Sequence, residues 1–322
     1  MRAPKETTVS SRTATPLSYS GAASRARQDG MKTGKKRRRD AQELLPPGVA
    51  TVGRVILAVV ILVPIAYMLL LSVTPDTEIG AGQLIPTHWV FGNYLDMWST
   101  VNLAQGLVNS VIISGIASFI AVVLAVGAAY VLTRFTFLGR RPYIYLLIGL
   151  QAVPGVMLLL PLFVVFASIQ VTIHFLLIGT YEAVIVTYLT FALPFATWLM
   201  MSYMSSIPIE LEEAALVDGA TRARALWHVV VPLALPGMVV ALVFSFLIGW
   251  NDVLFASVLT APATRTIAVQ VQAFSSSQEG GALPLYGQLM GAAIVSALPV
   301  VLLYMIFQRY LIGGLTAGGV KG

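Results

Sequence analysis

The chain has 322 residues, 57% of them apolar and 11% charged, with no cysteine. A water-soluble domain carries about a quarter charged residues, so this composition describes a protein that crosses a bilayer many times, and without cysteine it has no disulfide, thiolate metal site or cysteine nucleophile. The formal charge of +6 would suit a nucleic-acid ligand if it formed a surface patch, but the basic residues are placed otherwise.

Residues 1–50 stand apart. They are rich in Ser, Thr, Arg and Lys, hold no apolar run and end in Pro46-Pro47-Gly48. Such a segment buries too little surface to offset its ordering entropy and is expected to be a disordered cytoplasmic tail. No apolar core follows the early charges closely enough for a signal peptide. The run Lys35-Lys36-Arg37-Arg38-Arg39 reads as a topology signal before the first span, with nucleic-acid or acidic-lipid contact as the other reading. Met31, just before it, offers an alternative translation start.

Residues 51–322 are expected to form one membrane domain. A spanning helix needs about 20 apolar residues, and six stretches qualify: Val55 to Val73, Leu107 to Leu132, Tyr143 to Ala167, Ala183 to Met204, Gly237 to Leu259 and Tyr286 to Phe307. The third is interrupted by Pro154 and Pro161, and the fifth carries Asp252. The expected fold class is all-α, with six transmembrane helices. Basic residues set the orientation. With the N-terminus inside, the tail through Arg54 holds twelve of the twenty Lys and Arg. The inner loops and C-terminus add Arg134, Arg140, Arg141, Arg222, Arg224, Arg309 and Lys321, leaving only Arg265 outside. This distribution makes the charge a topology signal, so nucleic acid is not an expected partner and membrane lipid is.

The outer segments differ in character. Thr74 to Asn102 holds Asp76, Glu78 and Asp96, with Trp89 and Trp98 placed for the membrane interface. Ala261 to Pro284 is rich in Ser, Gln and Gly, and reads as a loop with a short extended stretch at Thr266 to Val271.

The longest inner loop, residues 205–236, gathers Glu210, Glu212, Glu213 and Asp218 within nine residues. Pro208 suits a helix start, and the glutamates sit where a helix N-terminus favours negative charge. Leu211, Ala214, Ala215 and Asp218 follow helical spacing, so Leu211 and the alanines share one face. Asp218-Gly219 marks a turn, and Thr221 can cap a second short helix that ends before Pro232. A small-residue face of this kind admits close approach of another backbone. It equally suits an amphipathic loop packed on the chain's own helices.

Glu213-Ala214-Ala215, then Gly219, then Val229, Val231 and Pro232 resemble the EAA loop of the permease subunits of bacterial ATP-binding-cassette importers. That pattern runs Glu-Ala-Ala, three residues, Gly, nine residues, aliphatic, any residue, aliphatic, Pro, and every spacing fits. Asp218 and Ala220 complete its Asp-Gly-Ala form, while valines stand where Ile and Leu are usual. The C-terminal stretch from Gly314 to Gly322 is similar to the end of carbohydrate importer permeases, above all the smaller maltose-type permease. Trp250-Asn251-Asp252 resembles a Trp-Asn-acid pattern of sugar permeases. The resemblance covers Val52 to Gly322.

What this resemblance implies is a type I importer permease (MetI-like) core paired with a homologous second permease. Each permease lays its loop in a cleft of a dimeric cytoplasmic ATPase, and an extracytoplasmic binding protein delivers sugar. Glu213, Ala214, Ala215, Asp218, Gly219 and Pro232 would form the ATPase-docking surface, with Glu213 facing a basic residue. The tail, residues 308–322, would contact the ATPase through Gly319 and Lys321. ATP and Mg would sit on that partner, and this chain would carry no cofactor.

The residues agree on the energy source. A phosphate-cradling loop needs Gly, four residues, Gly-Lys and Ser or Thr. The one Gly-Lys, Gly34-Lys35, is followed by Lys36, with Asp29 where the first Gly belongs. No ATPase activity is therefore expected of this chain. An ion-coupled secondary transporter is the alternative class, and its mark would be ionisable residues inside spans. Asp252 is the clear candidate, about 22 Å along the fifth span from Gly237 and nearer the outer side. Such a residue costs about 2.5–3.5 kcal/mol to insert, so it is expected to face a cavity. Trp250, Asn251 and Asp252 could supply the ring, amide and carboxylate that a sugar pairs with. They could equally clamp helices together between the two permeases. His88, His174 and His228 follow no metal-ligand spacing.

Overall fold

The computed structural model describes residues 47–317, other than residue 84 and residues 278–284, with side chains described within residues 48–310. The basic tail through residue 46, with Met31 and Lys35 to Arg39, lies outside the described residues, as do Gly319 and Lys321. The described chain is helical, and its one β-bridge joins Gly179 to Thr260. The helices, in chain order, are α1 (Pro47–Ser72), α2 (Asp76–Gly80), α3 (Asn93–Thr100), α4 (Leu103–Arg134), α5 (Arg140–Ala152), α6 (Leu159–Ile173) and α7 (Tyr181–Ser205). After them come α8 (Ile209–Val217), α9 (Arg222–Ala225), α10 (Val231–Trp250), α11 (Leu254–Leu259), α12 (Ile267–Ser277) and α13 (Tyr286–Ala317). The described residues fall into two compact units that divide after Ile65, the first holding most of α1.

Six helical segments among the described residues are long and apolar enough to cross a bilayer: Gly48–Ser72, Leu103–Arg134, Gly155–Ile173, Tyr181–Ser205, Arg222–Trp250 and Tyr286–Tyr310. The number matches the expectation, while the third and fifth boundaries do not. Pro154 disfavours the helical region for Val153, which is extended at φ −74°, ψ 122°. The expected span Tyr143 to Ala167 is thereby divided. α5 is too short to cross, and the crossing segment is a 3₁₀ turn, Gly155–Leu158, continued by α6. The fifth span ends at Trp250 instead of Leu259, so Asp252 lies beyond its helix.

The expected extended stretch at Thr266 to Val271 is helical from Ile267 onward. Ile267, Gln270 and Phe274 are buried along one side of α12, a spacing of three and four that only a helix brings onto one face. The Ser-, Gln- and Gly-rich composition of the segment pointed to a loop, and packing against α4 and α13 supports a helix instead.

In the larger unit the core sits where α4, α7 and α10 pack together. Helices in lipid associate through close packing of small residues, and the buried residues follow that rule. α4 buries Gly106, Ser110, Ser114, Ala117, Ala121, Ala125 and Ala129 in sequence along one face. α10 answers with Ala234, Gly237, Ala241, Ser245 and Gly249. A methyl group on Gly237 would lie 2.4 Å from the Tyr203 ring, and one on Gly249 would lie 2.7 Å from the Tyr188 ring. The ends of the bundle hold larger side chains. At the loop end, Tyr130, Met200, Met204 and Val230 form an apolar cluster with the alanines of α4. A second cluster joins Met97, Leu103, Phe246, Trp250 and Ile267.

Candidate functional site: the loop after the fourth span

The loop between α7 and α10 is a helix, a glycine turn and a second helix. Pro208, at φ −56° and ψ 133°, turns the chain out of α7 and begins α8, whose first turn carries Glu210 and Glu212. The helix ends because Gly219 adopts φ +87°, a left-handed conformation that disfavours residues with a Cβ. Ala220 N–H then donates to Ala215 O at 3.0 Å, and Gly219 N–H to Leu216 O at 3.1 Å. This is the Schellman arrangement, which satisfies the last carbonyls of α8. Thr221 caps α9 as expected, its hydroxyl accepting from Arg224 N–H at 3.3 Å.

The second loop helix does not end before Pro232. It runs through a π-helical turn, Leu226–Val230, directly into α10, making one helical path from Arg222 to Trp250. Proline has no N–H and its ring crowds the carbonyl four residues back in a regular α-helix. The wider turn relieves that conflict, with Val231 N–H reaching back five residues to Leu226 O. The loop is therefore joined without a break to the fifth span.

The expected docking residues fall into two groups. Glu213, Ala214, Asp218, Gly219 and Pro232 are exposed, and Ala215 is half-buried. Leu211 shares the exposed face of Ala214 and Asp218, and Val217 nearby is 87% exposed. Glu212 has the opposite environment. Its side chain is 5% exposed and its Oε2 lies 3.1 Å from Nε of Arg134, itself 8% exposed. The Nε–H points off the line between the two atoms, so the contact is an ion pair and not a straight hydrogen bond. Tyr130 donates its hydroxyl to the other carboxylate oxygen. Arg134 Nη2 also donates to Ile207 O at 3.0 Å, in the turn that leads into α8. On the α9 side, the Arg222 guanidinium lies 5.2 Å from the Phe135 ring centroid, and Phe135 meets Tyr130 edge-on. The C-terminal end of α4 thus grips both loop helices.

Sequence reasoning missed this grip. Glu212 reads as one of three equivalent first-turn acids, and Arg134 as a topology charge. The available signal was Tyr130 and Arg134, four apart on the last turns of α4 and therefore on one face.

Trp250, Asn251 and Asp252 are adjacent but do not converge on one surface. Trp250 is 4% exposed and stacks on Phe246 at 5.3 Å between centroids. Asn251 is exposed, and its amide donates back to Leu247 O at 3.0 Å. Asp252 accepts from Ala256 N–H at 2.9 Å, from Phe255 N–H at 3.3 Å and from the Tyr188 hydroxyl at 3.1 Å. In this conformation it caps α11 and ties that helix to α7.

Comparison with known proteins agrees with this architecture. The chain resembles the trehalose transport system permease protein SugB of Mycobacterium tuberculosis, 37% identical over 81% of this chain and 93% of that protein. It resembles the trehalose/maltose transport system permease protein MalG of Thermococcus litoralis, 29% identical over 87% and 99%. Among solved structures, a chain of a bacterial transporter that imports the polysaccharide alginate superposes with a TM-score of 0.68 at 22% identity, covering 81% of this chain and 95% of that one. A chain of the MetNI methionine transporter superposes at 0.50, with 20% identity over 66% and 95%. These establish the type I importer permease fold, a multi-pass protein of the inner membrane. The model of the family described as binding-protein-dependent transport system inner membrane component matches residues 121–316, from the middle of α4 through α13. With the helix-turn-helix loop inside the matched region, the chain belongs to that family of ATP-binding-cassette importer permeases.

Proposed function

We propose that this permease carries a carbohydrate, an oligosaccharide of the maltose or trehalose kind, and that its loop from Glu210 to Pro232 is the contact with a cytoplasmic ATPase. The observation that carries the reading is the exposed α8 face and glycine turn, continuous through the π turn with the fifth span. Relatives named for trehalose and for maltose transport support the substrate class. A glycerol phosphate ester is the competing solute.

In this reading the N- and C-termini lie in the cytoplasm. An extracytoplasmic binding protein delivers sugar to a cavity formed with a homologous second permease. ATP and Mg bind the partner ATPase and close its dimer. Glu213 meets a basic residue there, Gly319 and Lys321 extend along the same partner, and the loop turns the cavity from inward- to outward-facing. A helical path carries such a push further than an irregular polar loop would, although its π turn at Leu226–Val230 is a point where it can bend. Asp252 is tied up in capping α11, which removes the main support for an ion-coupled carrier.

The test is uptake of labelled maltose, trehalose and glycerol 3-phosphate by cells carrying Glu213→Lys or Gly219→Pro. Both positions are exposed, so the proteins should insert at normal levels, and both should fail to transport the sugar that the unaltered chain carries. Unchanged uptake would mean that the loop is not the coupling element.

A further inference from the structure

We propose that Glu212, Arg134 and Tyr130 form a positioning latch that couples movement of the ATPase-docking loop to the inner end of α4. The inference rests on the docking role of the loop proposed above and assigns it a second output. One output is covalent and runs through the π turn into α10. The other is the buried ion pair.

The geometry separates two adjacent glutamates. Glu213 stands in solvent, available to a partner. Glu212 is held inward, its carboxylate between the Tyr130 hydroxyl and the Arg134 guanidinium. A buried ion pair is a poor way to gain stability, because removing two charges from water cancels most of their attraction. What such a pair does supply is a fixed relative position, since any displacement leaves two desolvated charges unmatched. Here the position fixed is that of α8. Arg134 makes its second bond to Ile207 O, in the short turn between α7 and α8. One guanidinium therefore braces both the hinge and the lever, and Arg222 over Phe135 repeats the brace on the α9 side.

Without the latch, the loop would join the spans through the turn at Ser206 to Pro208 and through a widened π turn. Both are places where a helix bends easily. With it, a push on α8 must also move α4, whose small-residue face carries α7 and α10. The latch residues touch neither solute nor nucleotide. They act by holding the loop against the helix it moves.

The experiment uses the intact importer complex purified from its own membrane and reconstituted in liposomes, reading sugar transported and ATP hydrolysed in parallel. E212Q and R134M should keep the complex assembled and hydrolysing ATP while transport per ATP falls by about tenfold, within the range of typical inter-site couplings. R134K, which keeps the charge, should retain more of the ratio than R134M. Y130F keeps the ring and loses only one hydrogen bond, so it should lower the ratio less. Should E212Q fail to assemble, Y130F and R134K decide the matter. An unchanged ratio in the variants, or hydrolysis and transport falling in proportion, would overturn the latch. In that event Glu213→Lys would still abolish transport if the docking role is right. No ATP-driven transport by the unaltered complex would overturn both.

Discussion

Glu212 and Glu213 are neighbours of identical chemistry on α8, yet one is shut behind Tyr130 and Arg134 and the other faces water. Helix position decides this, since successive residues point about 100° apart. A pattern of residue types cannot distinguish them until the helix is docked. The same limit applies to Gly237. Nothing in Pro236-Gly237-Met238 marks that glycine as necessary, but the Tyr203 ring occupies the space where a Cβ would stand, at 2.4 Å. Gly237→Val should therefore force α7 and α10 apart. Crowding a packed core costs about 1–3 kcal/mol, and the measurement is the thermal unfolding midpoint of the detergent-purified protein. A clear fall is expected for Gly237→Val. Gly115→Val, where no atom lies within 4 Å of the added Cβ, should leave the midpoint near that of the unaltered protein.

Among the elements, the spans were legible because about 20 apolar residues in a row admit little but a membrane helix. Their ends were less so. Pro154 was visible as a break in the third span, but whether a broken helix re-forms across a proline depends on its neighbours, and here the chain settles into a 3₁₀ turn and a fresh helix. The fifth span misled for the opposite reason. Val253 to Leu259 is as apolar as the span before it, and only the capping hydrogen bonds of Asp252 reveal a separate short helix. Asp252→Ala removes two acceptor contacts at the first turn of α11, and loss of such a cap costs about 1 kcal/mol. A lower unfolding midpoint is expected, with Asn251→Ala leaving both the midpoint and the sugar concentration for half-maximal uptake unchanged. A large shift in that concentration for either variant would instead restore Asn251 and Asp252 to the solute pathway. The loop was legible down to its glycine turn and its Thr221 cap, because both are local chemistry. The π turn was not, since Pro232 reads as a stop unless the preceding turn is known to widen.

At the scale of the whole molecule, the structure places a rigid elbow at one end of a tightly packed helical bundle. The elbow's exposed face carries Leu211, Ala214 and Asp218, and its buried face is anchored to α4. Among the described residues six helices are long and apolar enough to cross a bilayer, the sequence holds no phosphate-cradling motif, and α10 carries no ionisable side chain to relay an ion. On the function proposed above, such a bundle moves when a partner moves the elbow. Reconstitution tests this directly: liposomes holding the complete importer are compared with liposomes holding the chain alone, with labelled sugar outside and either internal ATP or an imposed proton or sodium gradient. The account predicts sugar accumulation only with the complete importer, its binding protein and ATP, and no response of the isolated chain to any gradient. Accumulation by the isolated chain, driven by an ion gradient without nucleotide, would contradict it.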